Sequence, residues 1–358
     1  MTTRTNQQQS LSTADMRSAI DTVSKGNTLS EATMVAFVEG LVDNKISEPD
    51  AKALLVAIYE RGDRKSELVG TCRSILSHMV PVETASPDMV DTCGTGGDHS
   101  GTFNISTAAA IVAAGAGIPI AKHGNRAATS KCGSADVLET LGVNIELPPA
   151  SAVRVLKQCG ISFFYARNCH PVMANIAALR KTIPHPTIFN RIGPLCHPMR
   201  VRRQLIGATS SDLAKLMGEA AIELGATKVW TVSSNDGLDE LSTTANSTIF
   251  CYDMIAAQSP SVKPRTKLIE AGDLVEKADL TALQGADAAQ NAQIITEILA
   301  GQTGPKRNIV VLNAAAAINV AGQATSMEAG IKIASESIDS GKAKMLLAEW
   351  ISVSRSNT

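Results

Sequence analysis

The reading of the fold turns on Asp91-Thr-Cys-Gly-Thr-Gly-Gly-Asp-His-Ser-Gly-Thr-Phe-Asn-Ile-Ser-Thr107. An apolar strand end at Met89-Val90 precedes it, and the helix-forming run at 108–114 follows. Gly94, Gly96, Gly97 and Gly101 permit positive φ and bring bare backbone N–H groups close to a ligand. Asn104, Ser106 and Thr107 fall at the expected helix start, where side-chain oxygens cap free N–H groups and the helix dipole favours an anion. The spacing fits neither the Gly-Lys-Ser/Thr loop of nucleotide hydrolases nor Gly-x-Gly-x-x-Gly. Two readings are open for the loop alone, a phosphate cradle or a turn that merely joins strand to helix.

Working outward, the 358-residue chain has 33 basic and 34 acidic residues and a net charge of −1. That balance leaves no electrostatic footprint for nucleic acid or an anionic membrane, so any anion site must be local. Cys72, Cys93, Cys132, Cys159, Cys169, Cys196 and Cys251 are scattered and contain no C-x-x-C pair. This pattern predicts reduced thiols and a cytoplasmic location, with no disulfide framework or zinc site. Cys93 beside the glycine loop reads as a small apolar strand residue. The polar first ten residues predict a disordered tail (1–11) and no signal peptide. The apolar runs at 105–121 and 309–324 are too short and too interrupted to span a membrane.

Between Asp15 and Val80, apolar residues such as Val35, Val38, Leu41 and Val42 recur at helical steps, with Ser30 and Ser47 as N-caps and Pro49 early in its helix. This predicts a small N-terminal helical domain (12–85) without chemistry of its own. Its apolar faces suit either a subunit interface or intramolecular packing. Beyond it, strands are expected at 118–121, 161–165, 187–190, 228–232 and 247–253. Helices are expected at 134–141, 151–159, 210–224, 287–300, 308–320, 326–341 and 342–352. The rhythm predicts a larger α/β domain (86–169 and 187–358) with a central, largely parallel sheet and ligands at the carboxyl ends of its strands. A helical stretch near 170–186 breaks the alternation and is expected to return to the helical domain.

Two further motifs fall at strand ends. Lys122-His-Gly-Asn-Arg-Ala-Ala-Thr-Ser130 reads as a second loop, with cations among glycine and hydroxyl residues, and His123 there is either a general base or a hydrogen-bonded spacer. Asn235-Asp-Gly-Leu-Asp-Glu-Leu-Ser242 offers carboxylates suited to Mg²⁺, which binds through one or two carboxylates plus substrate phosphates, although a capped turn uses the same residue types.

Together these motifs resemble the anthranilate phosphoribosyltransferase family. The resemblance rests on Asp91-x-x-Gly-Thr-Gly-Gly-Asp98, Asn104-x-Ser-Thr107, Lys122-His-Gly-Asn-Arg126, Gly133-Ser-Ala-Asp136, Thr187-x-Phe-Asn190, Gly193-Pro-Leu195 and Gly237-Leu-Asp-Glu240, in family order over nearly the whole chain. It implies that the amine of anthranilate attacks C1′ of 5-phosphoribosyl-1-diphosphate and releases diphosphate, the second step of tryptophan biosynthesis from chorismate. It also implies Mg²⁺ as cofactor and a homodimer through the helical domain, with no nucleic-acid or membrane partner. Carried over by position, the donor contacts are Gly94, Gly97, Asp98, Thr102, Asn104, Ile105, Ser106, Thr107, Lys122, His123, Gly124, Asn125, Arg126, Ala127, Ala128, Thr129, Ser130 and Ser134. The metal contacts are Ser106, Asp239 and Glu240, and the anthranilate contacts are Gly94, Asn125 and Arg180. Where the family reads Gly-Pro-Leu-x-Asn-Pro-Ala, this chain has Gly193-Pro-Leu-Cys-His197-Pro-Met199 followed by Arg200, Arg202 and Arg203, which puts acceptor recognition in question. A pyrimidine nucleoside phosphorylase and a non-catalytic nucleic-acid-binding relative are the rival readings. The missing Lys-His-Gly-Asn-Arg stretch of the first, and the near-neutral charge and Asp239-Glu240 pair against the second, disfavour them.

Overall fold

The computed structural model describes residues 11–83, 86, 88–127, 131–254 and 263–357, which fall into two compact units. The chain opens in the first unit with helices α1 (Thr13–Ser24), α2 (Glu31–Val42), α3 (Glu48–Arg61) and α4 (Lys65–Ser77). It continues into the second with β1 (Val90–Gly94), α5 (Ile105–Gly115), β2 (Ile120–Gly124), α6 (Ser134–Leu141), α7 (Pro149–Cys159), β3 (Ile161–Tyr165) and α8 (Ala166–Cys169). Helices α9 (Met173–Lys181) and α10 (Ile188–Arg191) belong to the first unit. The second unit resumes with β4 (Arg203–Gly207), α11 (Ser211–Glu223), β5 (Lys228–Ser234), β6 (Ser247–Asp253), β7 (Arg265–Ile269), α12 (Ala288–Leu299), α13 (Pro305–Ala321), α14 (Met327–Asp339) and α15 (Lys342–Ser356).

In the first unit, Ser30 and Ser47 cap α2 and α3 through their hydroxyls, as the sequence predicts, and Pro49 occupies the first turn of α3, where no N–H is required. The unit is organised around a buried acid. Glu67 on α4 accepts from the Leu29 N–H at 2.9 Å and the Arg64 N–H at 3.2 Å and forms an ion pair with Arg61, whose side chain is itself only 7% exposed. Each carboxylate oxygen that folding removes from water thus regains a donor, the condition for keeping a charge inside. The stretch 187–190, expected as a strand, is instead the start of α10. Asn190 caps the turn by accepting the Thr187 N–H and hydroxyl at its Oδ1, at 3.0 and 3.2 Å, so local side-chain bonding overrides the β-branched composition.

The second unit is a seven-stranded sheet in the order β3-β2-β1-β4-β5-β6-β7. Strands β3 to β5 in that order are parallel, and β6 and β7 are antiparallel additions. The sequence pattern does not predict β7. It is a mostly exposed edge strand with cationic side chains, a composition without an apolar signal. The sheet order reverses between β1 and β4, so the segments leaving their carboxyl ends diverge and open a crevice there. Helices α5 and α13 pack against each other and are apolar around nearly their whole circumference, Ala-rich and buried from Thr107 to Ala114 and from Ile309 to Ala321. Such helices belong in the core, and no helix among the described residues is long and apolar enough to cross a membrane.

Removing the Glu67 carboxylate strands the Arg61 charge and the Leu29 N–H in the core of the first unit. Glu67→Ala is therefore expected to cost about 3–5 kcal/mol, measured as a loss of stability in urea denaturation of the whole chain.

Candidate functional site

The site begins where β1 ends. Asp91 to Gly94, read as the opening of a loop, are the last strand residues of β1, paired in register with Gln204 to Gly207 of β4. Asp91 is fully buried and its Oδ1 accepts the His123 N–H at 3.1 Å, which fastens β1 to β2. Gly94 itself is not at positive φ, but past it the chain turns through Gly96, Gly97 and Gly101 at positive φ, as the glycine spacing predicts, and through His99, also at positive φ, which that spacing does not predict. Asp98 closes this loop on itself by accepting from the Ser100 N–H and hydroxyl at 3.3 and 2.7 Å. Thr102 then pairs with Gln284, and Ile105, Ser106 and Thr107 form the first turn of α5. Cys93 is a strand residue whose thiol burial pushes well above its usual range, so it holds no thiolate.

The segment Asp236 to Leu241, after β5, drops onto this loop. A Cβ added at Gly207 would lie 1.5 Å from the Asp239 carbonyl oxygen, and one at Gly94 would lie 2.2 Å from Asp239 Oδ2. Both strands must therefore end in glycine for the acidic segment to seat. Once seated, Asp239 Oδ2 accepts the Gly96 N–H at 2.8 Å. Burial and then the Asp98 charge push the Asp239 carboxyl up to about 6, against the pull of the Gly96 N–H and Lys122. Burial and Asp239 likewise raise Glu240, which the Lys122 charge and the Ser106 N–H partly offset. The Asp98 charge thus disfavours charge on both Asp239 and Glu240, with one buried lysine in opposition. No group of three or more His, Cys, Asp or Glu side chains among the described residues forms a metal cage. The donor set fits a hard cation that takes one or two carboxylates and completes its shell from a ligand.

The second motif is placed differently from the loop that the sequence suggests. Lys122, His123 and Gly124 are the final residues of β2, and Lys122 and His123 are buried. The Lys122 ammonium donates to the Thr92 carbonyl of the neighbouring strand. The His123 ring lies 5.6 Å from that of His197. A Cβ at Gly124 would meet Ser134 Oγ at 2.3 Å and the Phe163 ring at 2.8 Å, so glycine lets both side chains pack there. Asn125 is exposed, and its carbonyl receives the Ala135 N–H at 3.2 Å and the Ser134 hydroxyl at 3.3 Å. Arg126 is engaged with acids, donating to Asp136 at 3.0 Å and to Glu139 at 2.8 Å. Asp136 also accepts the Ala127 and Gly133 N–H groups at 3.0 and 2.9 Å, which together with Arg126 outweigh its burial and hold its carboxyl below the usual range. Ala128, Thr129 and Ser130 lie outside the described residues.

Asn104 does not cap α5 with its side chain, contrary to the sequence reading. Its amide donates to the Cys132 carbonyl at 3.1 Å and accepts from Asn291 of α12 at 3.0 Å, because the more distant partners engage both ends. The divergent His197 is a buried bridge. Its Nδ1 accepts the Met199 N–H at 3.1 Å, its Nε2 therefore donates to the Ala121 carbonyl at 2.8 Å, and burial lowers its pKa. Arg203 pairs with Asp88 at 2.9 Å, and Arg200 and Arg202 are exposed, so the three arginines do not converge on one anion. Arg180 belongs to the first unit, at the end of α9. Burial lowers its pKa, and no carboxylate partners it among the described residues. Sequence reasoning missed Gly207, whose need appears only once the acidic segment is folded against it. A Gly207→Ala chain is expected to lose about 1–3 kcal/mol by overpacking, whereas Gly193→Ala, with nothing within 4 Å of the new methyl, stays near wild type; thermal denaturation of the two variants measures the contrast.

Residues 86–344 match the model of the glycosyl transferase family α/β domain. The chain is 40% identical over 341 residues to the anthranilate phosphoribosyltransferase of Salinibacter ruber, covering 95% of this chain and 98% of the relative. It is 41% identical, with the same coverage, to that of Rubrobacter xylanophilus. The crystal structure of the Thermus thermophilus anthranilate phosphoribosyltransferase superposes with a TM-score of 0.85 at 32% identity, over 94% of this chain and 99% of that one. The Saccharomyces cerevisiae enzyme in complex with PRPP and Mg gives 0.85 at 26% identity, over 96% and 99%. Related in sequence and fold over nearly its whole length to these enzymes, the chain belongs to the anthranilate phosphoribosyltransferase family, glycosyltransferases of tryptophan biosynthesis.

Proposed function

We propose that the chain carries out its family's transfer at the carboxyl ends of β1, β2 and β5, with Mg²⁺ held by Ser106, Asp239 and Glu240. The observation that carries this reading is the seating of Asp239 beside the Gly96 N–H, with Asp98 close enough to raise its pKa. Three carboxylates facing one lysine would repel a diphosphate unless a cation came with it. Magnesium bound there would neutralise charge on the leaving diphosphate. The S. cerevisiae relative in complex with PRPP and Mg supports the same pairing of donor and metal.

The donor phosphates are assigned to the backbone from Gly97 and Asp98 through Thr102 to Asn104, Ile105, Ser106 and Thr107, and to residues 122–130 with Ser134. Positive φ at Gly96, Gly97 and Gly101 turns backbone of the loop toward the crevice in a way that suits oxyanions, and the N-terminal end of the α5 dipole adds to it. Within this set the side chains of Asn104, Lys122 and Arg126 already have protein partners, so their contribution is to hold the loops. Anthranilate is assigned to Gly94, Asn125 and Arg180, in line with a relative from S. cerevisiae solved with 4-fluoroanthranilate. An aromatic amine is neutral at pH 7 and needs no strong base to attack C1′. Catalysis is then positioning of the amine and stabilisation of the departing charge. His123 and His197 are accordingly given no proton-transfer role. The seven free cysteines support a reducing, cytoplasmic setting.

Loss of anthranilate fluorescence with purified protein, phosphoribosyl diphosphate and Mg²⁺ follows the reaction directly. In that assay Arg180→Ala is expected to lower kcat/KM for anthranilate by about 1.5–3 kcal/mol while the donor KM stays put, since the guanidinium pairs with the acceptor carboxylate. A rise in the donor KM alone would remove the assignment.

We also infer a homodimer through the helical unit. Among the described residues of that unit, Tyr59 on α3 is the exposed large hydrophobic one, 44% accessible and stacked on His185 at 3.8 Å. Tyr59→Glu is expected to give monomers in sedimentation velocity at micromolar concentration, where the wild type sediments as a dimer.

A further inference from the structure

The two carboxylates assigned to the metal sit on a segment of irregular backbone, so something other than a β-ladder must fix them. Ser234 Oγ donates to the Glu240 carbonyl at 2.6 Å. The next residue, Leu241, is fully buried, and both of its backbone groups are met by one side chain. The Leu241 N–H donates to Asn313 Oδ1 at 2.9 Å, and Asn313 Nδ2 donates back to the Leu241 carbonyl at 2.9 Å. Asn313, 1% exposed in the middle of α13, thus stands in for a neighbouring strand at the position directly after Glu240. Its second Nδ2 proton goes to the Ile309 carbonyl of its own helix at 2.9 Å, so both amide protons and the amide oxygen are engaged. A buried amide with this much at stake fixes one geometry, because any shift of the segment would leave the polar groups of both partners dry.

We infer that Asn313 is a positioning residue for Asp239 and Glu240. It acts through Leu241 and touches no substrate, and the inference rests on the reading of those two carboxylates as the magnesium pair. The same helix supplies its own control. Asn319, 3% exposed, makes the same back-bond to Ala315 at 2.9 Å, but its next bond goes to the Ser326 carbonyl at the start of α14. Loss of Asn319 therefore removes similar burial and bonding without reaching the acidic segment.

The test compares Asn313→Leu and Asn319→Leu in the full chain. Free Mn²⁺ is read by its electron paramagnetic resonance signal in the presence of inorganic diphosphate, together with thermal stability. Asn313→Leu is expected to weaken Mn²⁺ binding about tenfold, the usual effect of removing a partner behind a metal ligand, while Asn319→Leu loses comparable stability and binds Mn²⁺ as the wild type does. Asn313→Ser, smaller and able to admit a water, is read in the same way if the leucine variant does not fold. Unchanged Mn²⁺ binding in a folded Asn313 variant, or equal weakening in both helix variants, overturns the inference. The Asp239→Asn, Glu240→Gln double variant separates the two levels. If it binds Mn²⁺ normally, the metal reading fails and the inference falls with it; if it loses Mn²⁺ while Asn313 variants do not, only the inference fails.

Discussion

The second unit depends on one close approach, Asp239 lying with its carboxylate where a side chain on β1 would stand and with its main chain where one on β4 would stand. Glycine at 94 and 207 removes two Cβ atoms, and the vacated space lets a carboxylate reach the Gly96 N–H. Neither glycine is at positive φ, so each is required for proximity and not for backbone freedom. The result concentrates negative charge at the mouth of a crevice whose loops offer N–H groups to anions. Charge of both signs in one small volume is the arrangement expected where metal and phosphate bind together.

That approach needs a rigid floor. Helices α5 and α13 provide it with Ala108 to Ala110 and Ala314 to Ala317, whose short side chains let backbones pack closely. Gly115 continues the pattern, since a Cβ there would lie 2.6 Å from the Ala343 Cα of α15. Polar residues buried in this floor have structural tasks. Asn313 holds the acidic segment, Asn319 the start of α14, and Ser337 the Val112 carbonyl. A core of this kind resists small displacements because the cost of an unmet hydrogen bond adds to the cost of a void.

The site also shows how residue types suited to a ligand come to be used for scaffolding. Arg126 is drawn into Asp136 and Glu139, Asn104 joins Cys132 to α12, and Lys122 is held by Thr92. His197 replaces the family asparagine and, buried with its pKa lowered, ties the turn before β4 to β2. Its ring hydrogen bonds are those of a bridge within the sheet unit, and the Arg200 N–H closes the turn on the His197 carbonyl at 2.9 Å.

The sequence by itself determined the kinds of element and their order, because hydrophobic period and capping residues act over a few neighbours. Helix α6 and strands β3 and β6 fall where the pattern put them, and Ser30 and Ser47 cap as read. The motifs also sufficed to identify the family, since the positive-φ glycines at 96, 97 and 101 reflect turns set over a few neighbours. Only the tertiary structure decided what each polar atom does. Whether Asn104 caps a helix or bridges to Asn291 depends on a partner 187 positions away, and no local pattern encodes that choice. Strand β7 is legible only as an edge against β6, and the helix at 187–190 only through a cap that competes with extended backbone. Gly207 and Asn313 carry no signal of their own, because their importance arises when separated segments meet at distances that leave no room for a methyl group or an unpaired amide.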